Sequence, residues 1–110
     1  MTTPVEPISP QVFHILLALA DGPTHGYAIM QQVERETGGE IRLGPGTLYG
    51  AIRRLRADGL IESAPGDNET RRRYRLTARG RRTLAREAAR LSRMVDAARE
   101  RRLLPEPGGR

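Results

Sequence analysis

The sequence predicts a mainly α-helical fold in which three helices precede a β-hairpin and one long helix follows it. Apolar residues recur at helical spacing in four stretches that are separated by turn-forming residues. Two short segments before the last stretch instead alternate with the period of a strand. The chain has 110 residues, 4% of them aromatic and none of them cysteine, which is enough for one modest aliphatic core without disulfides.

The first helix is predicted to begin at Pro10, since proline suits the first turn of a helix, and to end at Asp21-Gly22-Pro23. Its apolar stripe consists of Val12, Ile15, Leu16 and Leu19. Phe13 and Leu17 lie off this stripe, so the helix is apolar over more than one face. We therefore expect a second apolar partner for it, either another element or another subunit.

The second helix is predicted to start near Thr24, a candidate N-cap, and to run to Gly38-Gly39. A short strand, Ile41–Leu43, is expected to follow it. Gly44-Pro45 then opens a third helix that Gly59 closes. The predicted buried face of this third helix consists of Leu48, Ala51, Ile52 and Leu55.

The hairpin is predicted from residues 60–64 and 71–76, with a turn between them, and Thr77 can cap the last helix, which runs to about Leu104. This order of elements is typical of a winged helix-turn-helix domain. The expected organisation is a flexible lead-in at 1–9, a winged helix-turn-helix domain at 10–76, a C-terminal helix at 77–104 and a disordered tail at 105–110.

The charge is unevenly distributed along the chain. Residues 1–44 hold two basic and five acidic side chains, a net of −3, whereas residues 45–110 hold seventeen and eight, a net of +9. Such an asymmetry indicates a polyanionic partner for the second part of the chain. All nineteen basic residues are arginine, which a general composition bias also explains, so only their placement counts as evidence.

The third helix and the hairpin carry the predicted contacts to DNA. The exposed face of the helix consists of Gly46, Thr47, Gly50, Arg53 and Arg54, with Tyr49 on its flank. Arginine, threonine and tyrosine supply contacts to phosphates and base edges. Three adjacent arginines, Arg71 to Arg73, stand on the hairpin, where phosphate binding or the nearby Asp67 and Glu69 would compensate their charge. A merely solvated helix face is the alternative reading of the third helix.

Several motifs resemble the PadR family of bacterial transcriptional regulators, with their order and spacing, over about residues 10–90. They are His25-Gly26-Tyr27-Ala28-Ile29, Gly44-Pro45-Gly46-Thr47-Leu48-Tyr49, Arg53-Arg54-Leu55, Asp58-Gly59-Leu60-Ile61, Arg72-Arg73-Tyr74-Arg75-Leu76-Thr77 and Gly80. Two features depart from the family pattern: Gly50 stands where proline is usual, and the last helix has no tryptophan to stack planar ligands.

The resemblance implies a homodimeric regulator, usually a repressor, that binds a two-fold operator and in many members leaves DNA when a small molecule binds. It places Tyr27, Thr47, Tyr49 and Arg53 at DNA-facing positions and Arg71, Arg72 and Arg73 on the wing. Tyr27 also has an alternative role, packing near Met30. His25 is either a residue at the start of the helix or a phosphate contact.

The last helix is predicted to mediate dimerisation. Apolar residues at alternating spacings of four and three form a coiled-coil seam over about two heptads. The residues of this seam are Leu84, Ala88, Leu91, Val95 and Ala98, and the first helix is expected to complete it through Phe13 and Leu17. We expect Leu84, Leu91 and Val95 to have no burial site in a monomer.

A candidate effector pocket is predicted between the first helix and the last helices of the dimer. Its residues are Phe13, His14, Leu17, Leu91 and Met94. The alternative is that these residues only form the dimer interface.

The sequence favours neither an enzyme nor a metal or cofactor protein. It shows no catalytic carboxylate pair, no Ser-His-Asp set and no phosphate-binding glycine loop, and two histidines alone make no metal site. No apolar run reaches the length of a membrane span, and Met1–Pro10 lacks the features of a signal peptide, so the cytoplasm is expected. The alternative function is a winged-helix protein-assembly module that does not bind nucleic acid.

Overall fold

The computed structural model describes residues 8–65 and 72–105. Four helices surround a three-stranded antiparallel sheet in the order α1 (Pro10–Ala18), β1 (Thr24–His25), α2 (Gly26–Glu36), α3 (Pro45–Ala57), β2 (Ile61–Ser63), β3 (Arg73–Leu76) and α4 (Ala78–Glu100). The central strand of the sheet is β3, which pairs with β1 on one side and with β2 on the other. The predicted three helices, hairpin and long last helix are all present.

One aliphatic core joins these elements. Its most buried members are Ile15, Leu16, Leu19, Ile29, Val33, Leu48, Ile52 and Ile61. The predicted buried faces of α1 and α3 both point into this core, and Tyr74 of β3 and Leu84 of α4 close it from the sheet side and from the last helix. Burial of this apolar surface is the main favourable term in folding.

The strand predicted at Ile41–Leu43 is wrong. The Ile41 N–H binds the side chain of Thr37 at 3.0 Å, so a local threonine, and not a neighbouring strand, satisfies this backbone. Leu43 still packs into the core. The third strand of the sheet is Thr24–His25, which was predicted as the start of α2.

The start of α2 and the end of α4 also differ from the prediction. His25, and not Thr24, is the N-cap of α2, because the Thr24 hydroxyl donates instead to the Gly22 carbonyl at 3.0 Å. The last helix ends at Glu100, four residues before the predicted Leu104. Arg102 adopts a left-handed backbone conformation (φ 59°), and the Leu103 N–H binds the Ala98 carbonyl at 3.0 Å, which closes the helix with a Schellman turn.

A tight joint connects the end of α3, the start of β2 and the start of α4. The Thr77 hydroxyl accepts a hydrogen bond from the Gly80 N–H at 3.0 Å, as predicted for an N-cap, and donates to the Gly59 carbonyl at 2.6 Å. The Thr77 N–H binds the Leu60 carbonyl at 3.1 Å. A Cβ at Gly80 would lie 1.9 Å from that carbonyl oxygen, so only glycine permits this approach of α4.

Candidate nucleic-acid interface

The third helix presents a polar face to solvent. Leu48, Ala51, Ile52 and Leu55 are buried, and Thr47, Arg53 and Arg54 are exposed on the other side. Proline at the first turn and Gly59 at the end (φ 77°) set the limits of the helix, and Gly59 closes it in a Schellman turn. The exposed arginines therefore lie on a helix of 13 residues whose limits are set by Pro45 and Gly59.

Tyr27 is exposed in the first turn of α2. Its side chain is 67% exposed, which excludes the alternative role of packing in the core near Met30. His25, two residues before Tyr27, is the N-cap residue of α2 and makes no side-chain hydrogen bond to the helix. His25 thus lies at the start of the helix, and its contact with phosphate stays a prediction.

Tyr49 has a different environment from the other side chains predicted to face DNA. It is 40% exposed, and its ring lies against the backbone of Gly26 at the start of α2. The predicted placement on the flank of α3 is therefore correct, but much of the ring is in contact with the protein.

The arginines of the hairpin differ in their partners and in their burial. Arg75 lies directly opposite Glu62 in the β2–β3 register and forms an ion pair with it at 2.7 Å. Arg72 and Arg73 are half-buried, and Arg73 lies opposite His25 of β1. Arg71, Asp67 and Glu69 lie outside the described residues. The sheet thus places Arg73 next to the segment that begins α2.

The β1 strand was missed because it has no local signal. Thr24 and His25 are two residues between a Gly-Pro pair and a glycine, and their partners Tyr74 and Arg73 are almost fifty residues further along the chain. Alternation cannot be read from two residues.

The face of α4 that was predicted as a dimer seam is only partly exposed. Leu84 is buried in the core of its own chain, so the expectation that it has no burial site in a monomer is wrong. Leu84 lies four residues after Gly80, so both residues are on the face of α4 that packs on the joint and on the core. Ala88, Met94 and Val95 are exposed, and Leu91 and Ala98 are half-buried. The exposed part of the predicted seam therefore lies beyond Glu87.

A cavity of about 280 Å³ lies between α1 and α4 within a single chain. It is lined by Ile8, Pro10, Phe13, His14, Glu87, Arg90 and Leu91. Three residues of the predicted effector pocket, Phe13, His14 and Leu91, meet here. Leu17 and Met94 do not line it. Met94 is 53% exposed, and its sulfur accepts a hydrogen bond from Arg90 Nη1 at 3.3 Å.

The polar end of this cavity is an ion pair between Glu87 and Arg90. Glu87 is buried, and both of its carboxylate oxygens accept hydrogen bonds from the Arg90 guanidinium, one of them at 3.1 Å. These hydrogen bonds lower the pKa of Glu87 and raise that of Arg90. On the other side of the cavity His14 Nδ1 is buried without a hydrogen bond, 3.7 Å from the Glu36 carboxylate. Sequence reasoning missed Glu87, whose burial depends on how α4 packs on α1.

Among residues 8–65 and 72–105, no group of three or more histidine, aspartate or glutamate side chains is placed to hold a metal ion. No helix in these ranges is long and apolar enough to cross a membrane.

A helix-turn-helix beside a winged sheet, extended by a long helix, is the architecture of the winged-helix regulators. The sequence model of the transcriptional regulator PadR-like family matches residues 15–86 of this chain. The chain therefore belongs to this family. Its members are transcriptional regulators, which supports the expectation that the protein is not an enzyme.

The relatives agree with this assignment. The transcriptional regulator Rv3488 of Mycobacterium tuberculosis is 42% identical over 73 residues, which are 64% of this chain and 65% of that protein. An uncharacterized 37.1 kDa protein in transposon TN4556 of Streptomyces fradiae is 48% identical over 81 residues, which are 73% of this chain. The chain therefore spans 22% of the length of the first curated relative and just under two thirds of the second.

The chain is also similar to the solved structure of Bacillus subtilis PadR in complex with operator DNA. The TM-score is 0.58 at 25% identity, over 67% of this chain and 44% of that one. Together with the four helices and the three-stranded sheet, this likeness confirms the predicted fold class.

Proposed function

We propose that the chain is a homodimeric transcriptional repressor that binds a two-fold operator in the cytoplasm. The observation that carries the proposal is the exposed polar face of α3 beside an arginine-bearing wing sheet. The similarity to a PadR protein in complex with operator DNA supports the same function. Repression is the role usual in the family that the sequence resembles.

The proposed interface divides into two kinds of contact. Thr47, Arg53 and Arg54 of α3 face the major groove and supply the base contacts, as in other helix-turn-helix proteins. Tyr27 and the arginines Arg71, Arg72 and Arg73 contact the phosphate backbone and hold the domain in register. Arg75 is left out of the second group, because Glu62 already neutralises it.

Replacing an arginine from each group separates these two contributions. On a duplex that the wild-type protein selects from a randomised pool, Arg53→Ala should cost roughly 1–3 kcal/mol, with less loss on scrambled DNA. Arg72→Ala should weaken binding to both duplexes and reduce the slope of log K against log salt by about one unit. Titrations at several salt concentrations measure both effects.

The matched control is Arg35→Ala, which removes the same charge from the exposed last turn of α2, about 13 Å along the helix from its start. Its affinity should stay at the wild-type value. Equal losses for Arg35→Ala and Arg72→Ala would show that only overall charge matters. If the wild-type protein selects no sequence and binds no duplex, the alternative of a protein-assembly module replaces this proposal.

Dimerisation is proposed to use the part of α4 beyond Glu87. Met94 and Val95 are 53% and 40% exposed, and they continue the seam of Ala88, Leu91 and Ala98. Phe13 and Leu17 of α1 are half-buried and are available to complete the interface. A second copy would cover this apolar surface and bring two recognition helices to two half-sites.

A charge on the seam should break the dimer without unfolding the chain. Val95→Asp introduces a carboxylate that is solvated in a monomer but would be buried in the dimer, where it is costly. We expect sedimentation to show a monomer and circular dichroism to show a wild-type spectrum. Binding to the selected duplex should be lost. Ala89→Asp adds the same charge on the other side of α4 and should remain dimeric. A monomeric wild-type protein would contradict the proposal.

A small-molecule effector is proposed to occupy the cavity between α1 and α4. Phe13 and Leu91 offer apolar contact, and His14 and the Glu87–Arg90 pair offer polar groups at its margin. The ligand acts only if it binds the DNA-free arrangement better than the DNA-bound one. A tenfold release requires a difference of about 1.4 kcal/mol.

A thermal-shift screen of planar aromatic and cationic compounds tests this cavity. Compounds that stabilise the protein and release the selected duplex should lose both effects in Phe13→Ala, which removes one apolar wall. The same compounds should still stabilise Met94→Ala, because Met94 does not line the cavity. Only the thermal shift is compared for this variant, since Met94 lies on the proposed dimer seam that duplex binding requires. The reverse pattern would place the effector site on the exposed seam instead.

A further inference from the structure

The contact between Gly26 and Tyr49 joins two motifs that are 23 positions apart in the sequence. Gly26 is the first residue of α2 and is buried. A Cβ on Gly26 would lie 2.3 Å from Tyr49 Oη and 2.8 Å from Cζ. Side chains do not approach this closely, so the ring of Tyr49 can lie there only because residue 26 is glycine.

The phenol makes this contact by packing. Tyr49 forms no hydrogen bond or ion pair with any residue of the described ranges, and its Cε1 also lies within 3.2 Å of the Cβ position at Gly26. The Tyr49 side chain therefore covers the first turn of α2, and its hydroxyl oxygen and the adjoining ring atoms all lie at the Cβ position of Gly26.

The same segment is attached to the wing on its other side. Thr24 and His25, directly before Gly26, form β1 and pair with Tyr74 and Arg73 of β3. The backbone from Thr24 to Gly26 thus stands between the wing strand, which binds it through the sheet, and the recognition helix, which contacts it through Tyr49.

We propose that Tyr49 is a positioning residue for DNA recognition rather than a DNA contact. The proposal rests on the proposed DNA-binding function. By packing on Gly26, the ring fixes the separation between α3 and the wing sheet, so that one half-site can be engaged by both. Without the ring, α3 and the wing still contact DNA separately, but the simultaneous fit to one sequence is lost.

Three substitutions distinguish positioning from direct contact. Tyr49→Ala should lower the ratio of affinities for the selected and scrambled duplexes at least tenfold. Gly26→Ala should do the same, although residue 26 offers no side chain to DNA, because the added methyl displaces the ring. Tyr49→Phe keeps the ring and should hold the ratio within twofold of the wild-type value.

The double variant Gly26→Ala/Tyr49→Ala should lose no more discrimination than either single variant, since both changes remove the same contact. A loss in Tyr49→Phe equal to that in Tyr49→Ala would overturn the proposal in favour of a hydroxyl contact to DNA. A ratio unchanged in Gly26→Ala would overturn it as well, and so would additive losses in the double variant.

Nuclear magnetic resonance measures the contact without DNA, so its result is independent of the proposed function. The ring current of Tyr49 should shift the α-proton resonances of Gly26, and the shift should disappear in Tyr49→Ala and persist in Tyr49→Phe. The matched control is Gly44→Ala at the start of α3, where a Cβ meets nothing within 4 Å and the Gly26 shift should persist. If the wild-type protein shows this shift but binds no DNA, the function is wrong and the contact is real. If the shift is absent while the protein selects DNA, the positioning role is wrong and the function stands.

Discussion

The two hydrogen bonds of the Thr77 hydroxyl are the constraint on which the arrangement of the molecule depends. One caps α4 through the Gly80 N–H, and the other binds the carbonyl of Gly59, which closes α3. A single side chain therefore links the end of the recognition helix to the start of the long helix. Because Gly80 lets α4 approach the Leu60 carbonyl, the link is short and leaves little freedom for α4 to turn.

This joint lies between the proposed DNA-binding surface on α3 and the cavity between α1 and α4. At one end α3 is held by Gly59 and Thr77, and near its start Tyr49 contacts Gly26. The cavity between α1 and α4 lies on the far side of the same joint, and Arg81 of α4 donates to the Ala20 carbonyl beyond the end of α1.

The sequence predicted the helices and the hairpin because their signals are local. Proline at the start of α1 and α3, glycine at the end of α3 and the Thr77 cap each act within one turn of chain, and the apolar spacing of Leu48, Ala51, Ile52 and Leu55 identified their buried face. It did not predict β1, whose two residues derive their structure from partners in β3. It also did not predict the burial of Leu84 and Glu87. The spacing of apolar residues shows which side chains share a face of α4, but it does not show how far along α4 the rest of the chain covers that face.

The sequence predicted which side chains of α3 are exposed, whereas the surroundings of the other candidate residues depend on tertiary contacts. The exposure of Thr47, Arg53 and Arg54 followed from helical periodicity. The neutralisation of Arg75 by Glu62 depends on the strand register, and the packing of Tyr49 on Gly26 depends on how α2 crosses α3. Of the residues of the predicted effector pocket, Phe13, His14 and Leu91 line the cavity within one chain, and Leu17 and Met94 do not.

The most direct test of the joint is the distance between spin labels on the two helices that it connects. The chain has no cysteine, so Ala57→Cys at the end of α3 and Arg93→Cys on the exposed side of α4 give one labelled pair. Dilution with unlabelled protein confines the signal to pairs within a chain. A narrow distance distribution is expected, which Gly80→Ala should shift and broaden because the added Cβ would meet the Leu60 carbonyl oxygen. The control Gly50→Ala, whose Cβ contacts only arginine side chains at 3.7 Å or more, should leave the distribution unchanged. An equally narrow and unshifted distribution in Gly80→Ala would contradict the claim that this joint fixes α4 relative to α3.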